Sequence, residues 1–285
     1  MAACVGEQEL GAFHAHCDNH CYLPLHVFCG QALLVYVLRR SKLDGAPHGA
    51  AVIKLLVTWL RRAWPDTRFI VRADSGFCRR RLLQWCERAD VRYVIGPARN
   101  ARLHAAVEVA EAALADAYKA SGTKQRLIGA FSYAAKSCPR ERRVITRLEY
   151  GEQGTNPRFV VTNLEGEAEA LHEGLYCERG EAKNRIQEAH LDLFGTRANC
   201  SRFIANQFRL LLAALAYTLM QRLRALALQS TELERASAAT IRVRLLKIGA
   251  AILRNTRRVR VMLASHHPLR ALFDTAASRL AALDP

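Results

Sequence analysis

The chain has 285 residues, 51% of them hydrophobic, enough for one large domain or two small ones with a sizeable core. Lys and Arg number 42 against 26 Asp and Glu, a net charge of +16, and the basic residues recur in clusters. That favours a polyanionic partner, nucleic acid first, over a merely solvated basic surface. Nine cysteines with no small-domain framework exclude a disulfide scaffold and fit a reducing cytosol.

The start, MAACVGEQEL, lacks the charged and apolar regions of a signal peptide. Cys17 and Cys21 stand near His14, His16 and His20, but no second Cys/His pair follows at zinc-finger spacing, so incidental thiols are the reading. CYLPLHVF (Cys21–Phe28) and QALLVYVL (Gln31–Leu38), split by Cys29 and Gly30, predict a hairpin. Val52, Leu55, Leu56 and Leu60 predict a helix over Gly49–Trp64, ended by Pro65. RFIVRA is a strand, Arg79–Ala89 a helix, and Val91–Gly96 a strand, which gives β-β-α-β-α-β and an α/β domain with a mixed sheet.

From about Asn100 a helix, 103–120, leads into three strand-like stretches, QRLIGAFSYAA, RRVITRLEY and RFVVTNL, with a GTNP turn. After Gly166 the chain reads as mostly helical to Ala227. Its most apolar run, Leu210–Met220, is bounded by Arg209 and Gln221 and is too short to span a bilayer, so a cytoplasmic protein without a membrane partner is expected. From Ile241 basic and apolar residues interleave, predicting a short helix, a hairpin and a last helix.

Asp74 ends the apolar strand and precedes Ser75, Gly76 and a basic helix. An acid at the carboxyl end of a strand is where open α/β sheets place metal ligands or general bases. An acid before a helix is also an N-cap, which satisfies orphan N–H groups. Both readings stay open on these residues.

The block RADSGFCRRRLLQWCERADVRYVIGPARN resembles the second-aspartate block of bacterial insertion-sequence DDE transposases, most of all the insertion-sequence 1380 group. NHCYLPLHVFCG, KQRLIGAFSYAAKS, NPRFVVTNL, LYCERGEAKNRIQEAHLDLF, NQFRLLLAALAY and IRVRLLKIGAAILRNTRRVRV are similar in family order over nearly the whole chain. The resemblance implies a ribonuclease-H-like fold with a β-rich insertion before the last catalytic helix, followed by C-terminal helices and a basic hairpin. It divides the chain into a first core part at 1–99, an insertion at 100–172 and a final helical and basic part at 173–285. It implies Mg²⁺ held by three carboxylates for strand cleavage and transfer, with Asp74 as the second acid. It also implies duplex DNA, the transposon ends, as partner; a homodimer or association with a full-length transposase is a further expectation.

Related transposases carry a Tyr, Arg, Glu, Lys signature, which falls here on Tyr176, Arg179, Lys183 and His190. On a regular helix offsets of three, seven and fourteen return to one face. The chain departs from the signature twice, with Lys183 where Glu is expected and His190 where Lys is expected. Glu181 lies two residues off, about 160° around an α-helix, and Glu188 is also badly aimed. A lysine does not ligate Mg²⁺. The first aspartate has only Asp18 as a candidate, in a connecting loop, so the start is expected to fall inside the ancestral domain.

The expected arrangement sets Asp74 at the end of a central strand, Phe69–Arg72, with a helix Tyr176–Leu193 turning position 183 toward it and a Lys183–Asp74 ion pair in place of the metal. DNA contacts are expected from Tyr176, Arg179, Asn184, Arg185, Arg257 and Arg258. The overall expectation is a catalytically inactive remnant of a DDE transposase. The alternative is a DNA-binding or dimerisation module that modulates a full-length relative. A metal-independent ribonuclease is a distant third, since His104, His172, His190, His266 and His267 form no recognisable frame.

Overall fold

The computed structural model describes residues 2–3, 8–14, 19–40, 45–135, 138–193, 195 and 198–283. Of these, the side chains of Ala2, Ala3, His14, Asn19, Pro47, Cys138, Pro139 and Arg179 also lie outside the description. The chain forms two compact units, Met1–Leu43 with Ala182–Pro285, and Asp44–Glu181.

The first unit begins with three short strands, β1 (Ala2–Ala3), β2 (Ala12–His14) and β3 (Asn19–Tyr22), in the antiparallel order β1-β3-β2. The hairpin β4 (Leu25–Cys29) and β5 (Ala32–Val37) follows, with Cys29 opposite Ala32. Gly30 turns it in the left-handed region at φ 54°, which glycine adopts without a Cβ clash. The hairpin was expected to join the sheet that carries Asp74. Among the described residues it pairs only with itself, because Tyr36 and Leu38 bury against Leu210 and Ala213 of a later helix.

The second unit runs α1 (Gly45–Ala63), β6 (Ile70–Ala73), α2 (Arg80–Arg88), β7 (Arg92–Ile95), α3 (Ala101–Ala105), α4 (Glu108–Ser121), β8 (Gln125–Ala135), β9 (Cys138–Gly151), β10 (Gly154–Thr155) and β11 (Arg158–Thr162). Its mixed sheet has the order β10-β9-β11-β7-β6, with β8 added to β9. Among the described residues only β6 and β7 are parallel, Ile70 opposite Arg92 and Ala73 opposite Ile95, with α2 as the crossover. Tyr93, Val94 and Ile95 are fully buried, as a strand covered on both faces requires. Leu82, Leu83 and Cys86 of α2 join the cluster that holds Tyr93 and Ile95, while Leu171 and Leu175 pack on the one that holds Val94.

Two expectations change here. The strand bearing Asp74 is an edge strand among the described residues, not a central one, since β7 is its one neighbour. The helix expected over 103–120 is two: Asn100 caps the first, accepting from the Leu103 amide at 3.1 Å, and Val107, buried in the core, breaks the run. The strands of the stretch 100–172 continue the same sheet, β11 pairing with both β9 and β7.

A π-helical segment, Ala170–Tyr176, closes the second unit, and α5 (Arg179–Gln187) crosses into the first. A second π-helical segment, Glu188–Asp192, follows directly. The first unit continues with α6 (Phe203–Ala227), α7 (Ala238–Ile241), a third π-helical segment (Arg242–Leu246), the hairpin β12 (Ala250–Arg254) and β13 (Val259–Leu263), and α8 (Arg270–Ala281). Met220, Ala227, Leu228, Leu233, Ile241, Leu245 and Ala276 form its second core. At 25 residues and mean hydropathy 1.4, α6 is longer than its apolar run and could cross a membrane by length and composition.

Candidate functional site

Asp74 follows β6 in extended backbone, φ −88° and ψ −176°, and its carboxylate accepts from the Gly76 amide at 3.1 Å. It thereby caps the short 3₁₀ turn Ser75–Phe77, and the turn is pinned from below: the Phe77 ring packs on Gly49 of α1, where a Cβ would collide with it. The cap anticipated from the sequence is therefore present, and it leaves Asp74 exposed at the strand tip.

The strand end is built further by the segment before α5. The Gly96 amide, just past β7, donates to the Ala73 carbonyl at 3.2 Å. Tyr176 lays its hydroxyl over Gly96, where an added Cβ would sit 2.5 Å from the oxygen, so any larger residue there must displace the tyrosine. Arg72, two residues before Asp74 and on the same strand face, donates to the Leu175 carbonyl at 2.8 Å and to Glu178 at 2.9 Å. Asp74, Arg72, Tyr176 and Glu178 thus gather at the carboxyl end of β6 and β7, all within the second unit.

Arg72 and Glu178 were not singled out from the sequence. The signal was the arginine inside an otherwise apolar strand, but its partner lies 106 residues away. The ion pair is partly solvated, 31% and 61% exposed, and contributes at most about 1 kcal/mol. Beneath Tyr176 lies His172, 1% exposed, its Nδ1 3.7 Å from the Cys177 sulfur and its Nε2 without a hydrogen-bond partner. Burial first, then the charges of Arg147, Arg126 and Arg158, lowers its pKa, so it stands there neutral.

The signature frame does not lie on one regular helix. Tyr176 ends a π-helical segment, Lys183 and Asn184 are exposed in the middle of α5, and His190 is buried in the next π-helical segment. Each π turn takes in an extra residue, about 100° of rotation, so spacings computed for 3.6 residues per turn do not hold across it. The continuous helix Tyr176–Leu193 is corrected on this point. Asp74 belongs to the second unit and Lys183, Asn184 and Arg185 to the first. The side chain of Arg179, and Asp18, Cys17 and His16 entirely, lie outside the described residues.

Other groups of this stretch serve the first unit. Arg185 hydrogen-bonds Tyr217 of α6. Glu188 pairs with Arg224, both largely buried, and accepts from the Ala238 amide at 2.7 Å, while Asp192 accepts from Ala239 at 3.1 Å. The two acids hold the amino end of α7. His190 Nε2 stands 3.0 Å from His26 Nε2, with Tyr36 against both rings. Burial, followed by the charge of His190, lowers His26 to about 3, and burial lowers His190 to about 4. Arg257 and Arg258 sit at the tip of the β12–β13 hairpin, where the Asn255 side chain accepts from both their amides at 3.0 and 2.7 Å.

The sequence profile of the family described as Transposase DDE domain group 1 matches residues 1–285. The chain belongs to that family. No curated protein matches it. A DDE transposase domain implies DNA as substrate, transposition as the family's activity and, typically, a divalent metal. Among the described residues of this transposase-family chain no three Asp, Glu, His or Cys side chains converge, so the donors described do not by themselves make up that metal's site. Near the strand tip Arg72, two residues before Asp74, holds Glu178 in an ion pair.

Proposed function

We propose that this chain is an insertion-sequence 1380-type transposase protein that binds duplex DNA, the transposon ends, and neither cuts nor joins it. Lys183 carries the reading: it stands where the family signature requires a carboxylate, and its ammonium repels a divalent ion instead of ligating it. A ribonuclease-H-like core is part of the proposal. Its support is the parallel β6–β7 pair with an acid at its carboxyl end and antiparallel strands beyond. Net charge +16 supports phosphate binding, and a protein acting on DNA in a bacterial cell works in the cytoplasm.

The test is strand nicking and strand transfer on duplexes carrying the element's ends, in Mg²⁺, with Asp74→Ala as control. No product is expected from the natural chain. Metal-dependent nicking that Asp74→Ala abolishes would overturn the proposal and restore the enzyme.

A second reading has its own observation. Between Arg235 and Asp274 the sequence has eight Lys or Arg and no Asp or Glu, which supports a DNA-binding module that modulates a full-length transposase. Assembly as a homodimer or with that relative belongs to this reading. The apolar row Ile204, Phe208, Leu211, Leu215 and Leu219 on one face of α6, each at least half exposed, supports it.

A further inference from the structure

The hairpin β12–β13 is a two-stranded ribbon with all ten of its paired residues exposed. Cross-strand register puts Ile252 opposite Val261 and Arg254 opposite Val259 on one face, and Leu253 opposite Arg260 and Ala251 opposite Met262 on the other. Both faces are apolar toward the base, and four arginines, 254, 257, 258 and 260, crowd the tip. Among the described residues no acid pairs with any of the four. The tip is also fixed: the Asn255 side chain holds the Arg257 and Arg258 amides, and the Asn255 amide donates to the Arg258 carbonyl at 3.0 Å.

A ribbon with two bare apolar faces is marginal in water by itself, so its form calls for a partner. The charge selects which one. An apolar protein groove does not attract four guanidinium groups in an acid-free stretch, whereas phosphates do. Dimensions select the groove. Two strands about 4.8 Å apart, with side chains, make a body roughly 10 Å across. That fits the major groove, about 12 Å wide, and not the minor groove of about 6 Å. Five rungs give a reach of about 17 Å, enough to cross the groove. There Val, Ile and Leu side chains meet thymine methyls, and arginine forks meet phosphates or the guanine O6 and N7 atoms.

We propose that β12–β13 is a DNA-reading arm that lies in the major groove of duplex DNA, with Arg254, Arg257, Arg258 and Arg260 at its leading end. This rests on the DNA-binding reading above and names the element and the groove.

The experiment uses the full chain and a 30-base-pair duplex. Fluorescence anisotropy from 20 to 200 mM salt is run for the natural chain and for the Arg254→Gln, Arg257→Gln, Arg258→Gln, Arg260→Gln variant. Dimethyl sulfate footprinting reads guanine N7, and light scattering reads mass. The natural chain should protect N7. The variant should lose that protection, bind at least about 10-fold more weakly at 100 mM salt, and show a salt slope smaller by about 2 or more. Lysine at the same four positions should keep the slope and, with the ribbon still seated in the groove, most of the protection. These exposed substitutions leave circular dichroism unchanged, and the lysine version supplies the comparison if glutamine perturbs the hairpin.

A natural chain that binds no duplex at 20 mM salt overturns the arm and the DNA reading together. Equal affinity and slope in the variant overturn the arm alone. Binding with N7 unprotected overturns the major-groove seat. Loss of a dimer with unchanged DNA affinity gives the ribbon to a second copy of the chain, and overturns the arm as well.

Discussion

Acid should unfold the first unit through one pair of rings. His26 on β4 and His190 in the π-helical segment meet Nε2 to Nε2 at 3.0 Å, so one ring must donate and the other accept. Tyr36 and Phe28 stack around His26, and the charge of Arg39 also works against a proton there. A second proton breaks the bond and buries a cation. In the unfolded chain both rings charge below pH 6.5; in the fold they hold out to about 3 and about 4. The unfolded state therefore binds more protons across this window, and stability falls as pH drops through it. Since pH 5 is 1.5 below the ordinary 6.5 and still above both folded values, keeping the rings neutral there costs about 2 kcal/mol per histidine and about 4 for the pair as an upper bound. The assay is urea unfolding, monitored by circular dichroism from pH 4.5 to 8, on the natural chain and on the His26→Phe, His190→Phe variant. The natural chain should lose several kcal/mol between pH 7 and 5, and the variant should lose most of that slope. An identical pH dependence in the two would refute the reasoning. His190→Lys, the family's residue, should destabilise at every pH by about 2 kcal/mol or more, since it sets an ammonium against His26.

Four further outcomes follow from named contacts. Gly96→Ala should cost about 1–3 kcal/mol by driving a methyl into the Tyr176 hydroxyl, and adding Tyr176→Phe should recover part of it, both read from urea midpoints. Arg72→Ala removes the donor to Leu175 and Glu178, so hydrogen exchange over residues 170–178 should speed up by about 5-fold, near 1 kcal/mol, with the rest of the sheet unchanged. Glu188→Ala strands the largely buried Arg224 and frees the amino end of α7, and thermal unfolding should report a loss of about 3–5 kcal/mol. Asp74→Asn keeps an oxygen for the Gly76 amide and should shift stability by less than about 1 kcal/mol, whereas Asp74→Ala should cost about 1.

Local signals were legible in the sequence wherever a short-range rule decided the structure. Alternation and turn residues gave β8, the β4–β5 turn and the β12–β13 ribbon, and strand-acid-glycine gave the Asp74 cap. What stayed hidden was set by partners far along the chain. Nothing near Arg72 names Leu175 or Glu178. Nothing in CYLPLHVF or QALLVYVL says that the hairpin they form will bury on α6 and not join β6. The division into two units likewise depends on residues 139 or more positions apart, 1–43 with 182–285.

The signature helix shows the same logic at closer range. Its regular spacing argued for one face, and that argument holds only while every amide bonds four residues back. Two demands pull the register away. At one end Tyr176 must reach Gly96 while Leu175 offers its carbonyl to Arg72. At the other, Glu188 must meet Arg224 and His190 must meet His26. A π turn supplies the extra residue at each end, at the cost of poorer backbone geometry, and the buried contacts outweigh that cost. The same contacts explain the residue types. With His190 turned inward against an imidazole, a neutral ring fits where a lysine would not. Glu188 and Asp192 are committed to α7, and moving either acid would disturb the core around Ile241 and Leu245. Substituting glutamate at 183 therefore adds a carboxylate to an exposed turn of α5 and leaves the first-unit core as it is, so folding and acid sensitivity should stay those of the natural chain.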